Sequence, residues 1–435
     1  MFWKDFFSGK RVTLMGLGLL GRGIGDAAFL AQCGAKLLVT DRKNKDELSS
    51  SLAQLAQHKN VSYILGEHRI EDFKHCDMVI KAAGVPLDSP YIAEARKNGV
   101  PVYMTTALFA KFAREAGATL VGITGTRGKS TVTHLIYHVL KNSGRQVHLG
   151  GNVRGLSTLA LIPGVQAGDI AVLELDSWQL QGFGDLKISP DIAVFTNLMP
   201  DHLNYYPTME QYFSDKANIF KNQKKGDVLF VRGEVRSLVE GARPPVAPVV
   251  PPALSKEWKL KLRGEHNREN AALAVAVLRA LGVAEEKIRA GLESFESVEG
   301  RLQLLTEING CTVYNDNNAT TPDATVVALR SFDKKVILIA GGADKGLDTA
   351  PLLRAMAEHS KKVLLLEGTG TDRIKNELPN TTIYRSVADA VGDALDATEP
   401  GDVVLFSPGF ASFGLFKNEY DRNDQFIRAV QAYIK

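Results

Sequence analysis

At 435 residues, 45% hydrophobic and 23% charged, the chain has the composition of a folded protein and not of a disordered or fibrous one; a prior of ~150 residues per domain gives about three domains. The net charge of +3 is thinly spread, with no long Lys/Arg run and no zinc-finger or RNP-like pattern, which argues against a nucleic-acid partner. Cys33, Cys76 and Cys311 lie far apart without a CxxC pair, against a disulfide framework or a structural zinc site, and they read as reduced, buried small residues.

The start, MFWKDFFSGKR, lacks the charged-then-apolar order of a secretory signal, and no segment approaches ~20 uninterrupted apolar residues. A cytoplasmic protein without membrane insertion is expected. Phe2, Trp3, Phe6 and Phe7 are expected to pack against the first domain in preference to touching a membrane surface. Residues 11 to about 104 alternate β-branched runs (RVTLMGLG, KLLVTD, MVIKAAGV, PVYMTT) with helical stretches, the rhythm of a parallel, doubly wound sheet. A second series opens at ATLVGITG, continues through a helix from Lys129 to about Asn142, and meets strands at IAVLELD and IAVFTNL. Five prolines in 243–255 exclude helix or central strand there. HNRENAALAVAVLRALGV has helical apolar spacing and a glycine stop, and is expected to close the second domain. A third series runs from CTVYND through KVILIAGG, KVLLLEG and DVVLFSPG.

The most informative segment is LVGITGTRGKSTVTHLIYHVL. A β-type run enters Gly125, Thr126, Arg127, Gly128, Lys129, Ser130 and Thr131, and a helical pattern follows at once. In such a turn backbone N–H groups and the helix start converge on phosphate oxygens, Lys129 neutralises the β- and γ-phosphates, and Ser130 can hold Mg²⁺. ATP is the predicted ligand. Glu174 closes a buried strand, where a carboxylate is costly without a cation or donors; it can bind the Mg²⁺ that bridges ATP's phosphates. His134 and His138 stand four apart without a third ligand and read as packing or surface residues. GLGLLG (Gly16, Gly18, Gly21) follows the first strand, with Asp41 twenty residues past Gly21. Alone this is a dinucleotide fingerprint that would suggest NAD.

Ile123 stands where a strict Walker loop wants glycine. The variant TGTxGK[ST] resembles the loop of the Mur ligase and folylpolyglutamate synthetase superfamily. In the order of its elements the chain is most like the UDP-N-acetylmuramoylalanine–D-glutamate ligases, over nearly its whole length. The resemblance implies an α/β fold of three domains: a Rossmann-like N-terminal domain binding the UDP substrate (1–104), a central P-loop ATPase-like domain (105–299) and a C-terminal Rossmann-like α/β domain binding the amino acid (300–435). It implies an ATP-dependent ligase that adds D-glutamate to UDP-N-acetylmuramoyl-L-alanine, acting as a monomer with two Mg²⁺ ions. Glu174, His202 in NLMPDH and Lys216 in DKANIF match its metal positions, with a CO₂-derived carbamate implied on Lys216. Gly18, Leu19, Asp41, Arg42, Asn152 and Gln179 match contacts to the UDP substrate. Asn267, Asn270, Arg301 and Asp316 match positions that reach ATP, and Thr320, Lys345 and Ser412 positions that hold the amino acid.

The match departs in three places. Asn318 stands where D-glutamate ligases usually carry lysine, MTTALF lacks the usual acidic residue before LF, and Asp176 replaces the usual serine. Loss of a lysine removes positive charge from the acyl-phosphate side, which bears on the identity of the added amino acid.

Overall fold

The computed structural model describes residues 2–18, 21–86, 88–201, 205–378 and 381–434. They form two compact units, Met1–Ala253 with Asn270–Gly291 and Leu254–Glu269 with Leu292–Lys435. The first unit holds two sheets and the second holds one.

The first sheet contains β1 (Arg11–Met15), β2 (Lys36–Asp41), β3 (Val61–Leu65), β4 (Met78–Lys81) and β5 (Val102–Tyr103). Their order is β3-β2-β1-β4-β5, all parallel. Strands β1 and β4 are buried nearly throughout, as expected of parallel strands covered on both faces. The aromatic start of the chain closes this region as expected. Phe7 is fully buried, with its ring 6.1 Å from Phe29 and 5.9 Å from Phe112, both edge-on.

The second sheet contains β6 (Thr119–Thr124), β7 (Val147–Gly151), β8 (Ile170–Glu174), β9 (Ile192–Phe195), β10 (Val228–Val231) and β11 (Pro248–Val249). The order is β11-β10-β9-β6-β8-β7, again all parallel. The proline-rich stretch supplies only the two-residue edge strand β11, where a missing N–H interrupts no ladder. The predicted helix after the phosphate turn spans Lys129–Asn142.

A seam joins the two sheets. Helix Arg22–Gln32 of the first meets the loop after β7 of the second: Ser157 Oγ donates to Asp26 Oδ1 at 2.6 Å, and a Cβ on Gly25 would sit 2.6 Å from the Ser157 Cβ.

The third sheet, in the second unit, contains β12 (Gln303–Ile308), β13 (Cys311–Asn315), β14 (Val336–Gly341), β15 (Ser360–Leu366), β16 (Thr382–Tyr384) and β17 (Val403–Phe406). Its order is β12-β13-β17-β14-β15-β16. Strand β12 is antiparallel to β13, whereas the sequence series began only at CTVYND. The tight turn is Asn309–Gly310, with φ of 50° and 79°, as a type I′ hairpin requires. The helix expected from HNRENAALAVAVLRALGV spans Glu265–Ala280 and stops before Gly282 at φ 70°. The division between units falls inside it, after Glu269. Among the described residues no helix is long and apolar enough to cross a membrane.

Burial raises the Asp26 carboxyl to about 6 from an ordinary 3.8, against the opposing bonds from Ser157 and Thr105. The folded protein therefore holds this proton more tightly than the unfolded chain. That contribution is complete below pH ~4 and is lost as pH rises through about 6. At pH 8 the ionised group opposes folding by roughly 3 kcal/mol. Asp26→Asn keeps an acceptor for Ser157, so urea unfolding is expected to show a stability gain that is larger at pH 8 than at pH 5 by roughly 1 kcal/mol.

Candidate functional site

The phosphate turn leaves the carboxyl end of β6, the strand flanked by β8 on one side and β9 on the other. That is where an open α/β sheet gathers ligands. The turn is built by its backbone and pinned from β9. Asn197 Oδ1 accepts from the Arg127 N–H at 2.7 Å, the Asn197 carbonyl accepts from the Thr126 N–H at 2.9 Å, and Thr196 Oγ1 donates to the Arg127 carbonyl at 2.5 Å. Thr126 Oγ1 donates to the Met199 carbonyl at 3.2 Å. Gly125 and Gly128 take φ of 139° and 83°, conformations open to glycine at little cost. Gly128 is the N-cap of helix Lys129–Asn142, and no side chain caps that helix start. Its first N–H groups are left for an anion.

Two lysines converge on this turn. Lys129 Nζ donates to the carbonyls of Gly125 at 3.0 Å and Thr126 at 3.1 Å. Lys216 Nζ, from helix Met209–Lys216, donates to the same Gly125 oxygen at 2.9 Å. Lys216 is only 1% exposed and lies over the Tyr212 ring at 4.7 Å. Among the described residues no carboxylate lies within ion-pairing distance of it. Burial first, and then the charge of Lys129, hold its ammonium well below the ordinary lysine range.

Glu174 ends β8 in register with Ile123 of β6, so its carboxylate emerges beside the turn. It is 3% exposed, and its one side-chain partner among the described residues is the amide of Asn152, 3.4 Å from Oε1. A buried acid so thinly satisfied fits a cation site, with Ser130 as a further oxygen donor from the turn. His202 lies outside the described residues. Among those residues no group of three or more His, Cys, Asp and Glu gathers as a metal site.

The remaining expected residues fall into three groups. Asn270 lies against the turn: a Cβ on Gly128 would collide with its Oδ1, and that oxygen accepts from Arg232 at 2.6 Å. Asp41 faces inward, its Oδ2 accepting from the N–H groups of Leu17 at 2.8 Å and Gly18 at 3.0 Å and its Oδ1 from Lys43 N at 2.9 Å. Its carboxylate shapes the glycine turn instead of facing a ribose, which weakens the NAD reading; Arg42 is exposed and Leu19 lies outside the described residues. Gln179 is buried within a capping box: its N–H donates to Asp176 Oδ1 at 2.7 Å, and its Oε1 accepts from Asp176 N at 3.2 Å. The Asp176 departure thus keeps the helix N-cap that a serine would also provide.

In the second unit, Lys345 Nζ donates to Thr320 Oγ1 at 3.2 Å. Reciprocal backbone bonds between Ala343 and Ala411 bring the Lys345 loop beside the Ser412 loop. Asp316 accepts from Leu302 N at 3.0 Å and Ser407 Oγ at 2.9 Å, so it braces its own domain. Asn267 Nδ2 donates to the Arg263 carbonyl at 2.8 Å, and Arg301 follows the turn at Gly300. Beneath these loops Arg422 is fully buried. It donates to Asn317 Oδ1 at 2.8 Å, the Asn317 carbonyl at 2.9 Å and the Phe410 carbonyl at 3.0 Å. Burial pushes it down to about 10.

His134 and His138 are packing residues as expected, bonded to the Ser130 carbonyl and to Asn142, each at 2.9 Å. Cys33, Cys76 and Cys311 are free; Cys33 and Cys311 are buried and Cys76 half-buried.

Three family models cover most of the chain: a Mur ligase MurD-like N-terminal domain over 10–104, a Mur ligase middle domain over 123–243, and a Mur ligase glutamate ligase domain over 300–410. The chain belongs to the Mur ligase family. It is similar to the UDP-N-acetylmuramoylalanine–D-glutamate ligase of Roseiflexus sp. (strain RS-1), 36% identical over 98% of this chain and 99% of the relative. The enzyme of the same name from Borreliella burgdorferi (strain ZS7) is 33% identical, with 98% of each covered. Among solved structures, the fold of this Mur ligase is shared with a UDP-N-acetylmuramate-alanine ligase from Thermotoga maritima: TM-score 0.63 at 20% identity, over 98% of this chain and 100% of the other. It is shared also with a MurF ligase from Thermotoga maritima in complex with ADP, TM-score 0.59 at 16% identity, covering 99% and 97%.

Gly128→Ala tests whether the turn's backbone is the grip. The added methyl meets Asn270 in a left-handed conformation, so we expect a loss of about 1–3 kcal/mol in stability and no detectable adenine-nucleotide binding by calorimetry.

Proposed function

We propose that this Mur ligase joins D-glutamate to UDP-N-acetylmuramoyl-L-alanine at the expense of ATP, as a cytoplasmic monomer making peptidoglycan precursors. The observation that carries this reading is the phosphate turn, uncapped and flanked by two lysines, in a chain that matches D-glutamate ligases over nearly its full length. The domain limits we assign are 1–104, 105–299 and 300–435.

In the proposed reaction, a carboxylate oxygen of the UDP substrate attacks the γ-phosphorus of ATP. The bond from that phosphorus to the bridging oxygen breaks, and ADP leaves. The amine of D-glutamate then attacks the acyl carbon of the acyl phosphate, loses a proton and expels phosphate, leaving an amide. Gly125–Thr131 hold the triphosphate by backbone N–H groups, and Lys129 exchanges its carbonyl partners for phosphate oxygens. Asn270, which stands against the turn at Gly128, is assigned to the same nucleotide. Two Mg²⁺ ions, held by Ser130, Glu174, His202 and Lys216, would offset the charge of two anions brought together. Burial and the nearby Lys129 charge disfavour the ammonium form of Lys216, which suits reaction with CO₂, since only the unprotonated amine is nucleophilic; the carbamate so formed would supply a carboxylate. Gly18, Leu19, Arg42, Asn152 and Gln179 are assigned to the UDP end of the substrate, and Asp41 serves that end by shaping the glycine turn from within. Thr320, Lys345 and Ser412 are assigned to the amino acid, and Asn267, Arg301 and Asp316 to ATP.

One observation favours testing other amino acids. The Asn318 amide donates to the Glu299 carbonyl at 3.1 Å where a lysine would place a charge, so recognition of a dicarboxylate rests on Lys345 and neighbouring donors.

Lys129→Ala is expected to abolish ADP formation, and Lys216→Ala to reduce it at least ~100-fold. A panel of amino acids with UDP-N-acetylmuramoyl-L-alanine, read by phosphate release and product mass, is expected to give a D-glutamate adduct. Ordinary turnover in Lys216→Ala, or product with another amino acid alone, would remove the corresponding part of the assignment.

A further inference from the structure

The Asn152 side chain stands between the two sheets of the first unit. Arg22, in the first turn of helix Arg22–Gln32, donates through Nη2 to Asn152 Oδ1 at 2.8 Å and through Nε to the Val153 carbonyl at 3.1 Å. A carboxamide has one acceptor end and one donor end. With its oxygen held by the guanidinium, the amide must turn its NH₂ the other way, and Nδ2 lies 3.4 Å from Glu174 Oε1. The Asn152 backbone N–H is fixed to the Glu174 carbonyl at 2.7 Å, so amide and carboxylate share one rigid frame. Were the amide to flip, its oxygen would face the carboxylate, and two acceptors would repel. Arg22 is the group that forbids the flip.

We propose that Arg22 is a positioning residue that fixes the Asn152 amide and, through it, the orientation of the Glu174 carboxylate. This rests on reading Glu174 as the ligand of the nucleotide's magnesium. The amide engages Oε1 and leaves Oε2 to the cation. Partners of this kind, one step behind a metal ligand, commonly govern metal affinity about 10- to 100-fold. The arrangement also places a residue of the first sheet's helix in control of a carboxylate beside the ATP turn.

The seam supplies its own control. Ser157 fastens the same helix to the same loop through Asp26 but has no bond toward Asn152 or Glu174. The experiment is calorimetric titration of the full chain with β,γ-methylene ATP across a Mg²⁺ series, without UDP substrate, alongside thermal unfolding. For Arg22→Met we expect the Mg²⁺ needed for half-maximal nucleotide binding to rise about tenfold. Arg22→Lys, which keeps one donor but not the fork, should fall between. Ser157→Ala should lower Tm with the Mg²⁺ requirement unchanged. Glu174→Gln should lose most of the Mg²⁺ dependence. If Glu174→Gln behaves so while Arg22→Met matches the parent protein, or if Ser157→Ala shifts the Mg²⁺ requirement as far as Arg22→Met, the positioning role is wrong and the ligase reading stands. If Glu174→Gln retains the full Mg²⁺ dependence, the assignment of Glu174 falls and the proposal with it.

Discussion

Everything at the candidate site depends on one constraint: a turn with no core of its own must be held in a shape that only backbone can grip. Gly125–Thr131 buries only the small polar side chains of Thr126, Ser130 and Thr131. Its conformation is imposed by Thr196 and Asn197 at the end of β9, which capture the carbonyl and N–H of Arg127 and the N–H of Thr126. Because β9, β6 and β8 are adjacent parallel strands in fixed register, whatever holds the turn also places Glu174. Strand pairing thus converts a sheet edge into a spatial arrangement of phosphate donors, a carboxylate and an amine. The two lysines sharing the Gly125 oxygen follow from the same economy of space. They are brought together by a fold that needs positive charge at one point.

Much of this was legible in the sequence because it is local. A strand, a glycine turn and a helix in immediate succession leave a pattern that hydrophobic periodicity and turn chemistry report directly, and the helix begins and ends where that pattern put it. Glu174 was legible for a related reason: an acid closing an apolar run requires a partner. The capping box of Asp176 and Gln179 was also written in the chain as D-x-x-Q, although the substitution there read only as a departure. The hairpin strand β12 was missed because a half-exposed edge strand has little apolar contrast, yet Asn-Gly at its turn was the available signal.

What the sequence could not carry is which polar groups turn inward. Asp41 looks like a ribose ligand by spacing, but its oxygens are taken by the amides of its own glycine turn. Asp316 likewise braces Leu302 and Ser407. Arg22 and Arg422 sit in amphipathic helices as ordinary arginines, and only tertiary contact reveals that one meets Asn152 and the other lies in the interior. Partners 105 and 130 residues away leave no periodic trace.

Arg422 has a consequence for how the chain can be cut. Its helix, Glu419–Ile434, resembles a detachable C-terminal appendage, but its guanidinium is the fastening for loops at Asn317 and Phe410 that lie about a hundred and about ten residues upstream. Shortening the protein from that end would therefore not trim a margin. It would release three acceptors from their donor at once, each worth about 1–3 kcal/mol when left unmet in the interior, and dissolve the floor beneath the loops at Asn317 and Phe410 before any loop residue had been touched.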